Sequence, residues 1–228
     1  KILRQGQAIF LESMTASKDM CYVVAINTRR LGDSAARRGD VPVLDLAIKF
    51  FNTYLRLAIN AKAIRVAYNL LHEYTKMAQS ILVFSQEDIR EQRADAMNSG
   101  KPLSAAALAA MLDVHDRALR IGRFLTYYAR ICLDRGIPFV AMIIAFDLSS
   151  LCEMAFKRKD LVHRKLLTML LGLDQGNKVK SNPFILGGIR RAQVKIATVY
   201  LAAKQRKFAR SVYDHLSHLS LDECLVLY

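Results

Sequence analysis

The chain has 228 residues, 53% of them apolar and 24% charged, with 34 Lys and Arg against 20 Asp and Glu for a formal net charge of +14. That length suits one or one and a half domains, with enough interior to need no disulfide or metal staple. With only 10 Gly and 4 Pro, the composition excludes collagen-like repeats, extended disorder and a turn-rich β-sandwich.

Helical periodicity runs almost from end to end. Residues 2–38 read as two helices broken near residues 17–19. From residue 43 to 59, Leu44, Ala47, Ile48, Phe51, Leu55 and Ala58 recur at the 3, 4 spacing of one helical face. Pro42 fits the first turn of that helix, where its missing N–H costs nothing. Asn60 reads as the N-cap of the next helix, which carries Ile64, Ala67, Tyr68, Leu71, Tyr74 and Ala78. Residues 85–93 read as its exposed, charged extension. Residues 98–102 (NSGKP) form the clearest loop.

A long helix is expected from about Ser104 to Asp134, ending at Gly136 as a left-handed C-cap. Asp113 with Arg117 and Asp116 with Arg120 are spaced for i, i+4 pairs on it. Pro138 opens a helix apolar on most sides, which is expected to be the buried central one. Its longest nearly unbroken apolar run, residues 137–146, falls short of the ~18 residues that span a bilayer. Asp160 is expected to cap a helix through Leu171, and a Gly- and Pro-containing loop to occupy residues 174–188. Two or three helices finish the chain, the last capped by Ser220. The expected fold is therefore all-α, either an irregular helical-hairpin solenoid (tetratricopeptide- or HEAT-like) or a multi-helix bundle of about eight to ten helices. It reads as a single domain over residues 1–228, with a possible subdivision into 1–97 and 103–228. Residues 127–158 and 189–219 look like tetratricopeptide-style hairpins, without a clean 34-residue period.

The chain begins on Lys1 with no signal-type apolar segment behind it and closes on the apolar LDECLVLY, which reads as a fragment of something longer. Cys21, Cys132, Cys152 and Cys224 are widely spaced in apolar surroundings, as expected for buried free thiols in a reducing compartment.

Charge is concentrated late in the chain. Residues 157–210 hold fourteen Lys and Arg against Asp160 and Asp174 alone. Three clusters make this up: Lys157, Arg158 and Lys159 with Arg164 and Lys165; Arg190 and Arg191 with Lys195; and Lys204, Arg206, Lys207 and Arg210. If helical hairpins stack, these clusters merge into a stripe along one edge. Such a stripe suits anionic lipid headgroups or an acidic protein partner. Nucleic-acid phosphate is the alternative, though no aromatic residues interleave with the basic ones for stacking. A merely solvated basic face is the plainest reading.

Motifs for chemistry are sparse. His215 and His218 lie three apart near Asp214 and Asp222, but a metal needs three or four ligands. His72 precedes Glu73 without the second histidine of a zincin, and His115 reads as a core histidine. Asp147 and Glu153 sit within the most apolar helix and require partners; Arg123 and Arg130 are the expected ones. Asn69, Tyr54 and Tyr68 suggest a polar knot between neighbouring helices. Neither a phosphate-binding glycine loop nor a nucleophile elbow is present. No enzyme, cofactor or metal is expected.

The segments FFNTYLRLAINAKAIRVAYNLLHEY (residues 50–74), IPFVAMIIAFDLSSLCEMAF (137–156) and GIRRAQVKIATVYLAAKQRKFARSVYDHL (188–216) resemble the soluble helical region of a family of uncharacterised, predicted bacterial membrane proteins. The resemblance implies a preceding membrane anchor and a domain on the cytoplasmic side of the inner membrane, where basic residues collect. It implies no activity. The function expected is that of a helical scaffold binding a protein partner, with its basic face toward anionic lipid or an acidic partner. Self-association is also expected from the high apolar fraction.

Overall fold

In the computed structural model, which describes residues 8, 10, 12, 14, 18–99 and 105–216, the chain is all helical, and no strand occurs among the described residues. The helices are α1 (Lys18–Arg38), α2 (Val41–Asn60), α3 (Ile64–Ser99), α4 (Ala105–Asp134), α5 (Pro138–Lys157), α6 (Val162–Leu171), the single turn α7 (Asn177–Lys180), α8 (Pro183–Ala202) and α9 (Arg206–Leu216), with a 3₁₀ turn at Gly172–Gln175. The chain divides into two compact units, residues 1–121 and 122–228, and the division falls within α4.

In the first unit, α1, α2 and α3 pack mutually. The face of α2 read from periodicity is the buried one, with Leu44, Ala47, Ile48, Phe51, Leu55 and Ala58 all inside. Asp40 caps the helix by accepting from Val43 N, and Pro42 occupies the first turn. Gly32 lets α1 approach α3, because a Cβ there would lie 2.1 Å from Met77 Sδ. An ion cluster around the buried Glu73 carboxylate joins the same helices: Arg29 Nε donates to Glu73 at 2.6 Å, Lys76 donates to the same carboxylate at 3.0 Å, and Arg29 also pairs with Asp33. The polar knot expected from Asn69, Tyr54 and Tyr68 is absent as such. Tyr54 stacks on Phe10 and Tyr68 on His72, while Tyr74 donates to Asn52 Oδ1 at 3.4 Å. Arg117 meets Asp113 as spaced, but its shorter contact is to Asp45 of α2 at 2.8 Å, and Arg120 also turns to Asp45.

In the second unit, α5 is the central helix, packed against α6 and α8, with α9 on α8. By average apolar character over its 20 residues, rather than by unbroken run, α5 is long and apolar enough to cross a membrane. Half of that window is buried by the helices around it. Close approaches occur at two glycines: a Cβ on Gly122 would lie 2.9 Å from Leu166, and one on Gly188 would lie 2.2 Å from Met142 Cε. Gly187 and Gly188 thus lie inside α8 rather than in a loop, and the loop expected over residues 174–188 shortens to α7 and its flanks. Cys21, Cys132 and Cys152 are buried free thiols. His218, Ser220 and Cys224 lie outside the described residues, as does the side chain of His115.

Five turns share one device. Gly39, Lys62, Gly136, Lys159 and Lys204 have positive φ, between 52° and 70°. In each, the following N–H bonds to the carbonyl five residues back, as Asp40 to Ala35 and Asp160 to Ala155 do. Asn60 is therefore the end of α2, not a cap of α3, because Lys62 takes the left-handed position two residues later. The Gly136 cap falls where the sequence places it, and Asp160 Oδ1 accepts from Val162 N at 2.9 Å to start α6.

The two units repeat one internal plan. Gly39 and Lys62 bracket a 20-residue helix, and so do Gly136 and Lys159, with the same separation. Buried Leu44, Ala47, Ile48, Phe51, Tyr54, Leu55 and Ala58 correspond in order to buried Ala141, Ile144, Ala145, Leu148, Leu151, Cys152 and Ala155. In the preceding helices, Ala25, Thr28 and Ala35 correspond to buried Gly122, Leu125 and Cys132.

Candidate functional site

Helix direction decides which basic clusters meet. Met142 lies against Gly188, Lys195 reaches Ser150 and Glu153, and Tyr200 touches Cys152 and Phe156. Residue numbers rise together along both helices, so α5 and α8 are parallel. The turns that follow them, around Lys159 and Lys204, therefore lie at the same end of the second unit. His163 and Arg164 at the start of α6 accordingly meet Phe208 at the start of α9, with ring centroids of His163 and Phe208 5.0 Å apart and the Arg164 guanidinium 5.3 Å from the Phe208 ring.

This end carries Lys157, Arg158, Lys159, Arg164 and Lys165 from one turn and Lys204, Arg206 and Lys207 from the other, all exposed except the partly covered Arg158. Two aliphatic side chains stand out among them, Leu161 at 69% and Leu201 at 44% exposure. The acids nearby are committed. Glu153 takes Lys157 at 2.6 Å and Lys195 at 3.5 Å, and the Lys157 hydrogen bond holds its carboxyl below the usual carboxylate range. Asp160 is buried as the α6 cap. Glu153 is thus paired with lysines and not with Arg123 or Arg130, because the parallel α8 brings Lys195 alongside.

Behind the turns lies an aromatic wall. Phe156 and Tyr200 meet edge to face at 4.7 Å, and His163 and Phe208 continue the cluster. His163 Nδ1 donates to the Asp160 carbonyl at 2.6 Å. Cys152 Sγ lies 3.3 Å from Tyr200 Oη, and burial pushes its thiol up to about 12, so it stays protonated and unreactive at neutral pH. The wall fixes the two turns relative to one another.

The cluster of Arg190 and Arg191 lies elsewhere. Arg190 and Arg191 sit in the N-terminal half of α8, and Arg190 is mostly buried, its Nε 3.8 Å from Asp174. Asp174 also receives His215 Nε2 at 2.9 Å and Gln193 Nε2 at 3.3 Å. His215 is thereby an internal structural partner. Among the described residues no three His, Cys, Asp or Glu side chains gather as a metal would require. Arg210, one turn into α9, is exposed and 3.8 Å from Asp214. The three clusters expected to form one stripe therefore split: two meet at one end, and Arg190 with Arg191 lies toward the other.

Sequence reasoning missed Leu161 and Leu201. Both flank a left-handed lysine at a helix end, and that lysine is the feature a sequence reader lacks. Compared with known proteins, the chain matches no family model, no curated protein and no solved structure.

Proposed function

We propose that the chain is a helical interaction domain that lies by the basic end of its second unit against an anionic membrane surface on the cytoplasmic side. The observation that carries this reading is the convergence of the Lys159 and Lys204 turns, with Leu161 and Leu201 exposed among their basic side chains. Each Lys or Arg close to an anionic bilayer contributes about 1 kcal/mol, and the leucines add apolar contact at the headgroup boundary. The resemblance to bacterial membrane proteins supports the same placement. In this reading the successive hairpins serve as a tetratricopeptide-like scaffold whose helix faces receive a protein partner.

Flotation of the purified chain with phosphatidylglycerol-containing and with pure phosphatidylcholine vesicles tests the reading. The expected result is binding to the anionic vesicles alone, weakened as salt screens the charges. No binding to either, or binding to duplex or single-stranded nucleic acid in preference to vesicles, overturns it.

A further inference from the structure

The plan shared by the two units places a counterpart of the Lys159 turn in the first unit. Lys62 occupies the position of Lys159, left-handed in both, and Ile64 occupies that of Leu161. Ile64 is 45% exposed, against 69% for Leu161. Basic side chains flank it again: Arg56, Lys62 and Arg65 are all exposed.

Two features of this turn have no explanation in packing. A non-glycine residue in the left-handed region costs about 1–2 kcal/mol, and the same chain uses glycine for that position at Gly39 and Gly136. Lysine nonetheless stands at position 62, as it does at 159. Two residues later each unit exposes an aliphatic side chain at the same place, Ile64 in the first and Leu161 in the second. Favourable placement of a cation at a helix C-terminus accounts for some of the lysine but none of the isoleucine.

We infer that the Ala61-Lys62-Ala63-Ile64-Arg65 turn is a second contact for anionic lipid, equivalent to the Lys159 turn, so that each unit carries one basic-aliphatic tip. This rests on the membrane reading of the second unit. Charge complementarity selects the occupant: a lysine and two arginines around one aliphatic side chain match a headgroup boundary, where phosphate lies beside the first methylenes.

The test uses the full chain and vesicles of phosphatidylglycerol with phosphatidylcholine, comparing Lys62→Gly/Ile64→Ser, Lys159→Gly/Leu161→Ser and the combination. All four positions are exposed, and the glycines relieve backbone strain, so the variants retain the fold; thermal melting checks this. Loss of about five-fold in vesicle affinity is expected for each lysine removed, and about ten- to thirty-fold for each pair once the aliphatic contact is included. Weakening by both pairs supports the inference. Weakening by the Lys159 pair alone overturns it and leaves the membrane reading of the second unit standing. Weakening by neither, or by the Lys62 pair alone, overturns that reading and this inference with it.

Discussion

Truncation of Asp174 to alanine strikes the polar junction that ties α8 and α9 to the turn after α6. The carboxylate is 3% exposed and the Arg190 side chain beside it 11% exposed. It accepts from Gln193 at 3.3 Å and from His215 at 2.9 Å. Removing one member of a buried ion pair leaves its partner without the counter-charge, which costs about 3–5 kcal/mol. Because the Arg190 contact is long, at 3.8 Å, the lower end, about 3 kcal/mol, applies. Asp174→Asn keeps an acceptor for Gln193 and loses only the charge, so about half that loss is expected. Asp174→Leu combined with Arg190→Met removes both desolvation costs and recovers most of the stability. Urea unfolding followed by far-ultraviolet circular dichroism reads the differences, and hydrogen exchange localises them to α8 and α9. An Asp174→Ala chain within about 0.5 kcal/mol of the parent, the range of an ordinary surface substitution, would refute the burial argument.

Other consequences are equally accessible. Lys204→Gly removes the left-handed Cβ conflict at φ 58° and raises stability by up to about 1 kcal/mol after glycine's greater unfolded freedom is deducted; thermal melting measures it. The Arg117 hydrogen bond, with the charges of Arg117 and Arg120, holds the Asp45 carboxyl below its ordinary value. The stability it contributes is therefore complete above the ordinary carboxylate pKa and is lost as pH falls through the lowered folded value. Asp45→Asn is accordingly expected to destabilise at neutral pH and to match the parent in acid, as urea midpoints across that range report. Gly188→Val places branched carbon where a Cβ already lies 2.2 Å from Met142 Cε, costing about 1–3 kcal/mol by overpacking. Met142→Ala in the same chain returns part of it, in a double-mutant cycle on urea stability.

Much of this fold is written in local sequence. The apolar stripe of α2, Pro42 in its first turn, the glycine stop at Gly136 and the Asp160 cap all rest on interactions within a few residues, and all are where periodicity and capping place them. What escaped is tertiary. A left-handed lysine has no sequence signal, so Asn60 reads as a cap and the exposure of Leu161 beside Lys159 goes unread. Gly187 and Gly188 read as loop because the reason for Gly188 is Met142, a residue of another helix. The partner of Glu153 depended on α8 running parallel to α5. That same direction places Arg190 and Arg191 away from the other two clusters and buries Arg190 beside Asp174. Charge density along the chain names the basic clusters, but only the helix directions say which of them share a surface.

The central claim is that the end of the second unit bearing the Lys159 and Lys204 turns faces anionic lipid. The buried thiols of Cys21, Cys132 and Cys152 allow a direct measurement with an environment-sensitive, thiol-reactive dye. In a Cys224→Ser background, the dye is attached at Leu161→Cys in one chain and at Phe184→Cys in another. Phe184 is 67% exposed and opens α8, at the opposite end of the unit. On adding phosphatidylglycerol vesicles, the dye at position 161 is predicted to shift to the blue, and the dye at position 184 to remain as in water. A shift at 184 without one at 161, or no shift at either, would contradict the account.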